Sequence, residues 1–464
     1  MGKNMDIRGD FRPFRAARNW ACGLATLALC AVGVGAEAAE WTILQAGSVI
    51  ADPREDATGA ASVIVRDDRI VRIASGHLAA ADLADAAPDD TVTVIDLRDK
   101  TLLPGLIDSH THLAADPDYP FWAVTTGTEA ADAVTGIINA EITLRAGFTT
   151  VRDLGSGPES IFAVRDAINA GRIMGPRILA AGPAISIVGG HGDISGFRRE
   201  VDQALAHLAP GTCTGPVQCA ERVRELSKFG SDVIKITATG GVLSQQARGL
   251  DKHFTDEELR AIVATAHQLG LKVAAHAHGP RGMESAAAAG VDSVDHGTFG
   301  DDAALRAMKK SGSYMVPTLM AFTGVKARLG TGIFTPAVEE KGRIAVERLG
   351  IALKQAKAMG VKIAFGTDSG VFEHGRNAEE FALMVDYGGL TPREALVSAT
   401  VTAAELLGLG DEIGTLAPGK AADIIAVNGN PLQDVTVLEK VQFVMARGRA
   451  VPPLGAHPAV ARKE

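Results

Sequence analysis

Five of the chain's twelve histidines fall in three short runs, His110-Thr-His112, His276-Ala-His278 and Asp295-His296. Imidazole is the commonest protein ligand for zinc and related ions, and residues i and i+2 face the same side of an extended strand. His110 and His112 can therefore present two ring nitrogens to one ion, and His278 faces the same way as His276. Such a pair by itself also reads as a polar strand end. A carboxylate closes another strand-like run, Gly366-Thr-Asp368, and would lie beside His110 if the first and last strands of a barrel met. Lys235 adds a different group. In Asp232-Val-Ile-Lys-Ile236 its apolar neighbours would bury an ammonium at considerable cost, and burial depresses a lysine pKa. The resulting neutral amine can react with carbon dioxide to form a carbamate, a carboxylate on a long arm able to bridge two cations. The competing reading is a lysine snorkelling from a strand end.

These groups need a frame. Eight runs rich in β-formers recur between Pro104 and Gly408: Leu106–His112, Thr149–Asp153, Arg177–Ala181, Asp232–Thr237, Val273–His278, Val294–His296, Tyr314–Pro317 and Ile363–Asp368. Alanine-rich amphipathic stretches follow most of them, among them 130–146, 221–228, 256–269, 301–310 and 341–359. Strand-then-helix repeated eight times predicts an α/β fold, a (β/α)₈ barrel over residues 104–408, with chemistry at the C-terminal strand ends. The histidine runs fall at those ends. A helix over 391–407 would pack outside. Short alternating runs at 39–103 and 409–450 predict a small β-sandwich built from both chain ends, and residues 451–464 read as a tail.

Composition narrows the classes. With 464 residues, 46% hydrophobic and 22% charged, the chain can bury a large core and is neither fibrous nor disordered. Its 46 basic against 55 acidic residues argue against a nucleic-acid partner. Residues 1–38 run from basic (Lys3, Arg8, Arg12, Arg15, Arg18) through apolar (Ala21 to Val34) to small, the order of a secretory signal peptide; an uncleaved anchor is the alternative. Cleavage after Ala38 would deliver a periplasmic or secreted protein without stable membrane insertion. It would also leave two cysteines, Cys213 and Cys219, six positions apart. An oxidising compartment favours a local disulfide over two buried thiols.

Taken together, Leu103-Pro-Gly-Leu-Ile-Asp-Ser-His110-Thr-His112, Ile234-Lys235, His276-Ala-His278-Gly, Asp295-His296-Gly-Thr, Gly366-Thr-Asp368 and Gly414-Thr-Leu-Ala-Pro-Gly-Lys-Ala-Ala-Asp423 resemble the amidohydrolase superfamily with a two-metal centre. The resemblance covers nearly all of residues 41–450. It implies that His110, His112 and Asp368 bind one divalent ion, that carboxylated Lys235 bridges, and that His276 and His296 bind the other. Zinc is the default for so many imidazoles. His278 is left for the substrate, polarising the scissile carbonyl, or for a supporting role behind the ligands. His191 in Gly189-Gly-His191-Gly-Asp193 either lines the pocket or shapes a turn, and Arg248, His253 and Tyr119 are weaker candidates for holding a substrate carboxylate. His77, His207, His267, His374 and His457 carry no special placement.

The chemistry implied is hydrolysis: two cations would bring a water's pKa toward neutrality, Asp368 would move its proton to the leaving nitrogen, and His278 would steady the oxyanion. Gly240-Gly-Val-Leu-Ser244 and His276-Ala-His278-Gly are similar to the imidazolonepropionase-like branch, which includes Xaa-Pro and Xaa-Arg/Lys dipeptidases and ochratoxin-hydrolysing amidases. That branch implies cleavage of an amide beside a free carboxylate, in dipeptides or N-acyl amino acids. A cyclic-amide or lactam hydrolase is the rival with the same metals. A non-catalytic metal-binding assembly protein is the rival of another class, and it would be expected to have lost ligands that all stand here. Homo-oligomerisation is left open.

Overall fold

The computed structural model describes residues 38–245 and 249–453. The signal-peptide expectation for residues 1–38 therefore falls almost wholly outside the described residues, as do Arg248 and most of the 451–464 tail. Among the described residues no helix is long and apolar enough to cross a membrane.

The predicted strand-helix repeats are present. Leu106–Thr111, Phe148–Asp153 and Arg177–Ala180 pair in parallel, and Val233–Thr237, Lys272–Ala277, Ser293–His296 and Tyr314–Val316 form a second parallel sheet. Most of their residues are buried, as in parallel strands covered by helices. The two sheets touch through a parallel bridge between Ile185 and Ile236 and a bond from the Asp232 amide to the Ala180 carbonyl. The eighth run, expected as the strand Ile363–Asp368, is not a regular strand. It bridges Met315 at Ile363 and Thr111 at Ser369, and the Asp368 amide donates to the His110 carbonyl at 2.7 Å. Amides within it are diverted from a ladder: that of Phe365 donates to the Ser398 carbonyl and that of Thr367 to the Asp108 carboxylate, and Asp368 at its end has φ +63°. Gly366 is needed in this passage because a Cβ there would stand 3.0 Å from the His110 amide nitrogen and 2.4 Å from a Val316 methyl.

Helices observed at Glu129–Arg145, Pro216–Phe229, Asp256–Gln268 and Asp302–Ser311 follow the expectations closely. Their starts are set by chemistry visible in the text. Thr128 and Asp301 cap with their side chains, and Thr255 and Glu258 form a capping box. Two expected long helices are each broken in two. The stretch 341–359 is Pro336–Val346 followed by Ile351–Met359, with Gly350 at φ +74° between them, and 391–407 splits into Pro392–Ser398 and Val401–Leu407.

Both chain ends meet as expected, their hydrogen bonds forming one mixed seven-stranded sheet, with Arg69 bridged to Ala421 and residues of both ends sharing one apolar core. Thr91–Pro104 lies between Glu40–Val49, which it pairs in parallel, and the C-terminal Ile424–Val427, which it pairs antiparallel. Because Thr91–Pro104 leads directly into Leu106–Thr111, this sheet anchors the strand that carries the first histidine pair. The expected disulfide joins Cys213 to Cys219, with Cα atoms 5.1 Å apart.

Candidate metal centre

The strand ends bring His110, His112, Lys235, His276, His278, His296, Asp368 and His191 around one cavity of 840 Å³. Asp368 Oδ1 lies 3.1 Å from His112 Nε2 and 3.3 Å from His110 Nε2, and Lys235 Nζ lies 3.3 Å from His110 Nε2. The rings of His276, His278 and His296 sit 4.5–4.9 Å apart by their centroids, and His296 is 5.0 Å from His110. Ligand atoms converge in two buried groups, His110–His296–Asp368 and His276–His278–His296. His296 belongs to both.

His112, His278 and His296 are each fixed by a hydrogen bond at the other ring nitrogen, whereas His110 Nδ1 stands close to Asp295 without a hydrogen bond. His110 Nδ1 is 2.8 Å from Asp295 Oδ2, His112 Nδ1 is 2.9 Å from the Gly155 carbonyl, His278 Nδ1 is 2.7 Å from Thr298 Oγ1, and His296 Nδ1 is 2.8 Å from Thr318 Oγ1. His276 is reversed, with Nε2 at 3.3 Å from the Gly240 carbonyl. Partners of this kind set ring orientation and tautomer in metal sites. His296 Nε2 is then left buried with no hydrogen-bond partner among the described residues. A buried orphan nitrogen is costly unless a ligand satisfies it, and a donor set of imidazoles with one carboxylate suits a divalent transition ion. These residues fit a two-metal site.

Burial shapes the charges. It pushes His278 and His191 down to about 3, with neighbouring cationic groups adding to the effect, and it holds His276, His296 and His110 well below the ordinary histidine value. Burial opposes charge on His112 as well, but the hydrogen bond and charge of Asp368 outweigh it and raise that ring. The Asp368 carboxyl is likewise pushed up by burial and pulled further down by His110 and His112, to a net lowering. Lys235 is lowered to about 8, chiefly by burial, the direction that favours the neutral amine.

Two proposed ligand residues, Asp368 at φ +63° and His296 at φ +73°, and the supporting Thr318 at φ +50° occupy the left-handed region. For residues other than glycine this costs on the order of 1–3 kcal/mol each and persists where the surroundings over-determine it.

Two of the weaker substrate candidates, Tyr119 and His253, do not join the cavity. Tyr119 is 60% exposed in the loop before a short helical turn at Phe121–Thr125. His253 lies behind Gly240, its amide bonded to the Ala238 carbonyl, and lines a separate depression with Lys252, Phe254 and Arg281. Arg248 is outside the described residues. His374 and His207 were expected to be ordinary, yet His374 is buried against the His112 carbonyl and His207 stands at the cavity wall. Sequence reading also misses Asp295, Thr298, Thr318, Ser244 and Lys341. Ser244 Oγ holds His191 Nδ1 at 2.7 Å, and the Lys341 ammonium donates to the Gly241 and Ser244 carbonyls. Asp295 was in plain view beside His296; the others carried no local signal.

The parallel strand-helix frame and the buried histidine centre define a metal-dependent hydrolase, and the chain belongs to the amidohydrolase family, whose sequence pattern matches residues 101–451. It is 33% identical over 424 residues to the ochratoxinase of Aspergillus niger, covering 88% of this chain and 85% of that protein. A crystal structure of a Xaa-Pro dipeptidase with bound methionine in its active site superimposes with a TM-score of 0.79 at 37% identity, over 89% of this chain and 99% of the other. The imidazolonepropionase of Deinococcus deserti is 30% identical over 388 residues, 80% of this chain and 88% of that protein.

Proposed function

We propose that this chain is a two-metal amidohydrolase that cuts an amide bond beside a free carboxylate, releasing the C-terminal amino acid of dipeptides and N-acyl amino acids, ochratoxin A among them. The observation that carries the reading is the cage of five histidines, Asp368 and Lys235 on a cavity that is also lined by an apolar cluster, Val242, Leu243, Phe322, Val325 and Val371. In this reading the two parallel sheets and residues 363–369 make one closed (β/α)₈ barrel. His110, His112 and Asp368 would hold one ion and His276 and His296 the other. Lys235, carboxylated by carbon dioxide with loss of a proton, would supply a further carboxylate to the site, and zinc is the ion these donors would suit. Bound there, two divalent ions supply Lewis acidity and bring a water's pKa toward neutrality.

The chain's own groups then divide the work. Asp368, kept ionised by His110 and His112, accepts the proton of the attacking water and delivers it to the nitrogen of the breaking C–N bond. The Thr298 hydroxyl can donate to His278 Nδ1 at 2.7 Å. That leaves the proton of this neutral ring on Nε2, where it donates to the developing oxyanion. His191, held by Ser244, offers Nε2 in the same way to the substrate carboxylate, and the apolar cluster receives the acyl group. A cyclic-amide hydrolase is the second reading, favoured by the likeness to an imidazolonepropionase. We also place the mature protein outside the cytoplasm, on the basic, apolar and small order of residues 1–38 and the Cys213–Cys219 bridge.

The test is a screen of zinc- and bicarbonate-reconstituted enzyme against dipeptides, N-acyl amino acids, ochratoxin A and cyclic ureides, alongside metal analysis. Release of free amino acid with close to two ions per chain is expected. Turnover of cyclic ureides alone would establish the second reading, and an enzyme holding one ion or none would refute the two-metal centre.

A further inference from the structure

One short turn of chain lies behind both halves of the cage. Asn377 is wholly buried, and its Nδ2 donates to Asp108 Oδ2 at 2.8 Å and to Ser369 Oγ at 3.1 Å, while its Oδ1 accepts from the Gly375 amide at 3.1 Å. The orientation of that amide is fixed by chemistry, because only a donor can face the Asp108 carboxylate. Asp108, also wholly buried, accepts in addition from the His110 amide, the Thr367 amide and Thr367 Oγ1, the last at 2.6 Å. Thr367 Oγ1 in turn accepts from the Ser369 amide at 3.1 Å. Thr367 and Ser369 flank Asp368, so the residue with the left-handed backbone is pinned from both sides.

One helical turn further on, Glu380 is wholly buried and accepts from the Leu319 and Met320 amides at 2.8 and 2.6 Å. Those amides immediately follow Thr318, the second left-handed residue, whose hydroxyl orients His296. Asp67 and Arg447 are the other described non-glycine residues at positive φ besides His296, Thr318 and Asp368.

We propose that Asn377 and Glu380 are positioning residues: a single buried turn, 377–380, braces the strained backbone at Asp368 and at Thr318 and so sets the spacing of the two halves of the metal cage. The proposal rests on the two-metal reading. Neither residue faces the cavity, and each acts through another, Asn377 through Asp108, Thr367 and Ser369, and Glu380 through the amides after Thr318.

Zinc affinity by chelator competition, together with crystal structures, tests it on the full-length mature protein. Asn377→Leu should bind zinc about 10–100-fold more weakly, the usual loss when an outer partner of a ligand is removed, and Asp368 should leave the left-handed region. Thr367→Val, nearly isosteric but without the hydroxyl, should lose affinity in the same range, and Thr367→Ser should restore it to within threefold of wild type. Glu380→Leu should weaken zinc binding comparably, with Glu380→Gln, which keeps an acceptor, intermediate. If Asn377→Leu fails to fold, the Thr367 pair still decides. Wild-type affinity in Thr367→Val, or equal loss in Thr367→Ser, would overturn the brace, as would a folded Asn377→Leu with Asp368 unmoved. A wild-type protein that binds no zinc would instead sink the two-metal reading, and the backbone at Asp368 in the variants would still judge the brace.

Discussion

The two halves of the cage are built differently. In the half made by the first and eighth strand segments, His110, His112 and Asp368, one ring has a carboxylate beside its outer nitrogen, Asp295 at His110 Nδ1, while His112 Nδ1 meets the Gly155 carbonyl and Asp108 ties the His110 backbone amide to Thr367. The half made by the fifth and sixth, His276, His278 and His296, is backed by neutral groups, the Gly240 carbonyl and the hydroxyls of Thr298 and Thr318. Carboxylate behind imidazole raises ligand basicity, whereas a hydroxyl or carbonyl fixes the tautomer and adds no charge. The first half is therefore equipped to hold a cation and a mobile proton. The second presents neutral ring nitrogens, one of which is available to a substrate oxygen.

The largest effect that would test this division is on Asp368. Asp368→Asn should lower turnover by about 10²–10⁴-fold, the range for a general acid–base group, beyond any loss of metal. Steady-state rates normalised to bound metal decide it, and a variant with near wild-type turnover would move the proton-handling role elsewhere. The next effect lies in the neutral half. His278→Asn should keep both ions and lose about 10²–10³-fold in rate, as removal of an oxyanion donor does. Loss of one ion would place His278 among the ligands with His276 and His296 and make that half purely a metal site.

The smallest effect sharpens the contrast without any substrate. In metal-free protein followed by NMR of labelled histidines from pH 7.5 to 5, His112 should take up its proton first, since Asp368 raises it against burial. His191 and His278, pushed down to about 3 mainly by burial, should stay neutral throughout. For those two the sign follows directly: neutral when folded, protonated near 6.5 when unfolded, they contribute stability that is present above about pH 6.5. It is lost as the pH falls toward 3, at about 1.4 kcal/mol per pH unit for each. A His278 titrating near 6.5 would erase the distinction between the halves.

How much of this was legible beforehand follows the range of the interactions. His110, His112, Lys235, His276, His296 and Asp368 were readable because strand periodicity and burial are local properties: two residues apart on a strand means one face, and apolar neighbours mean a buried lysine. The carboxylate anchors were not. Tyr119 and His253 lie in segments without strand or helix periodicity, and loop paths depend on packing that no local pattern encodes. The same limit explains the two helices broken at 346–351 and 398–401, where helical composition runs on through a turn set by its surroundings.

By itself the sequence determined the strand-helix order, the capped helix starts and the places of the histidines and Lys235 along the strands, because propensity, capping and side-chain periodicity act within a few residues. Only the tertiary structure decided that Asn377 would meet Asp108 across 269 positions, that Lys341 would pin the loop at Ser244, and that Asp368 and His296 would be held in left-handed backbone. Those arrangements are stable only once distant segments supply the hydrogen bonds that compensate burial and strain, so no stretch of chain short enough to read as a motif contains them.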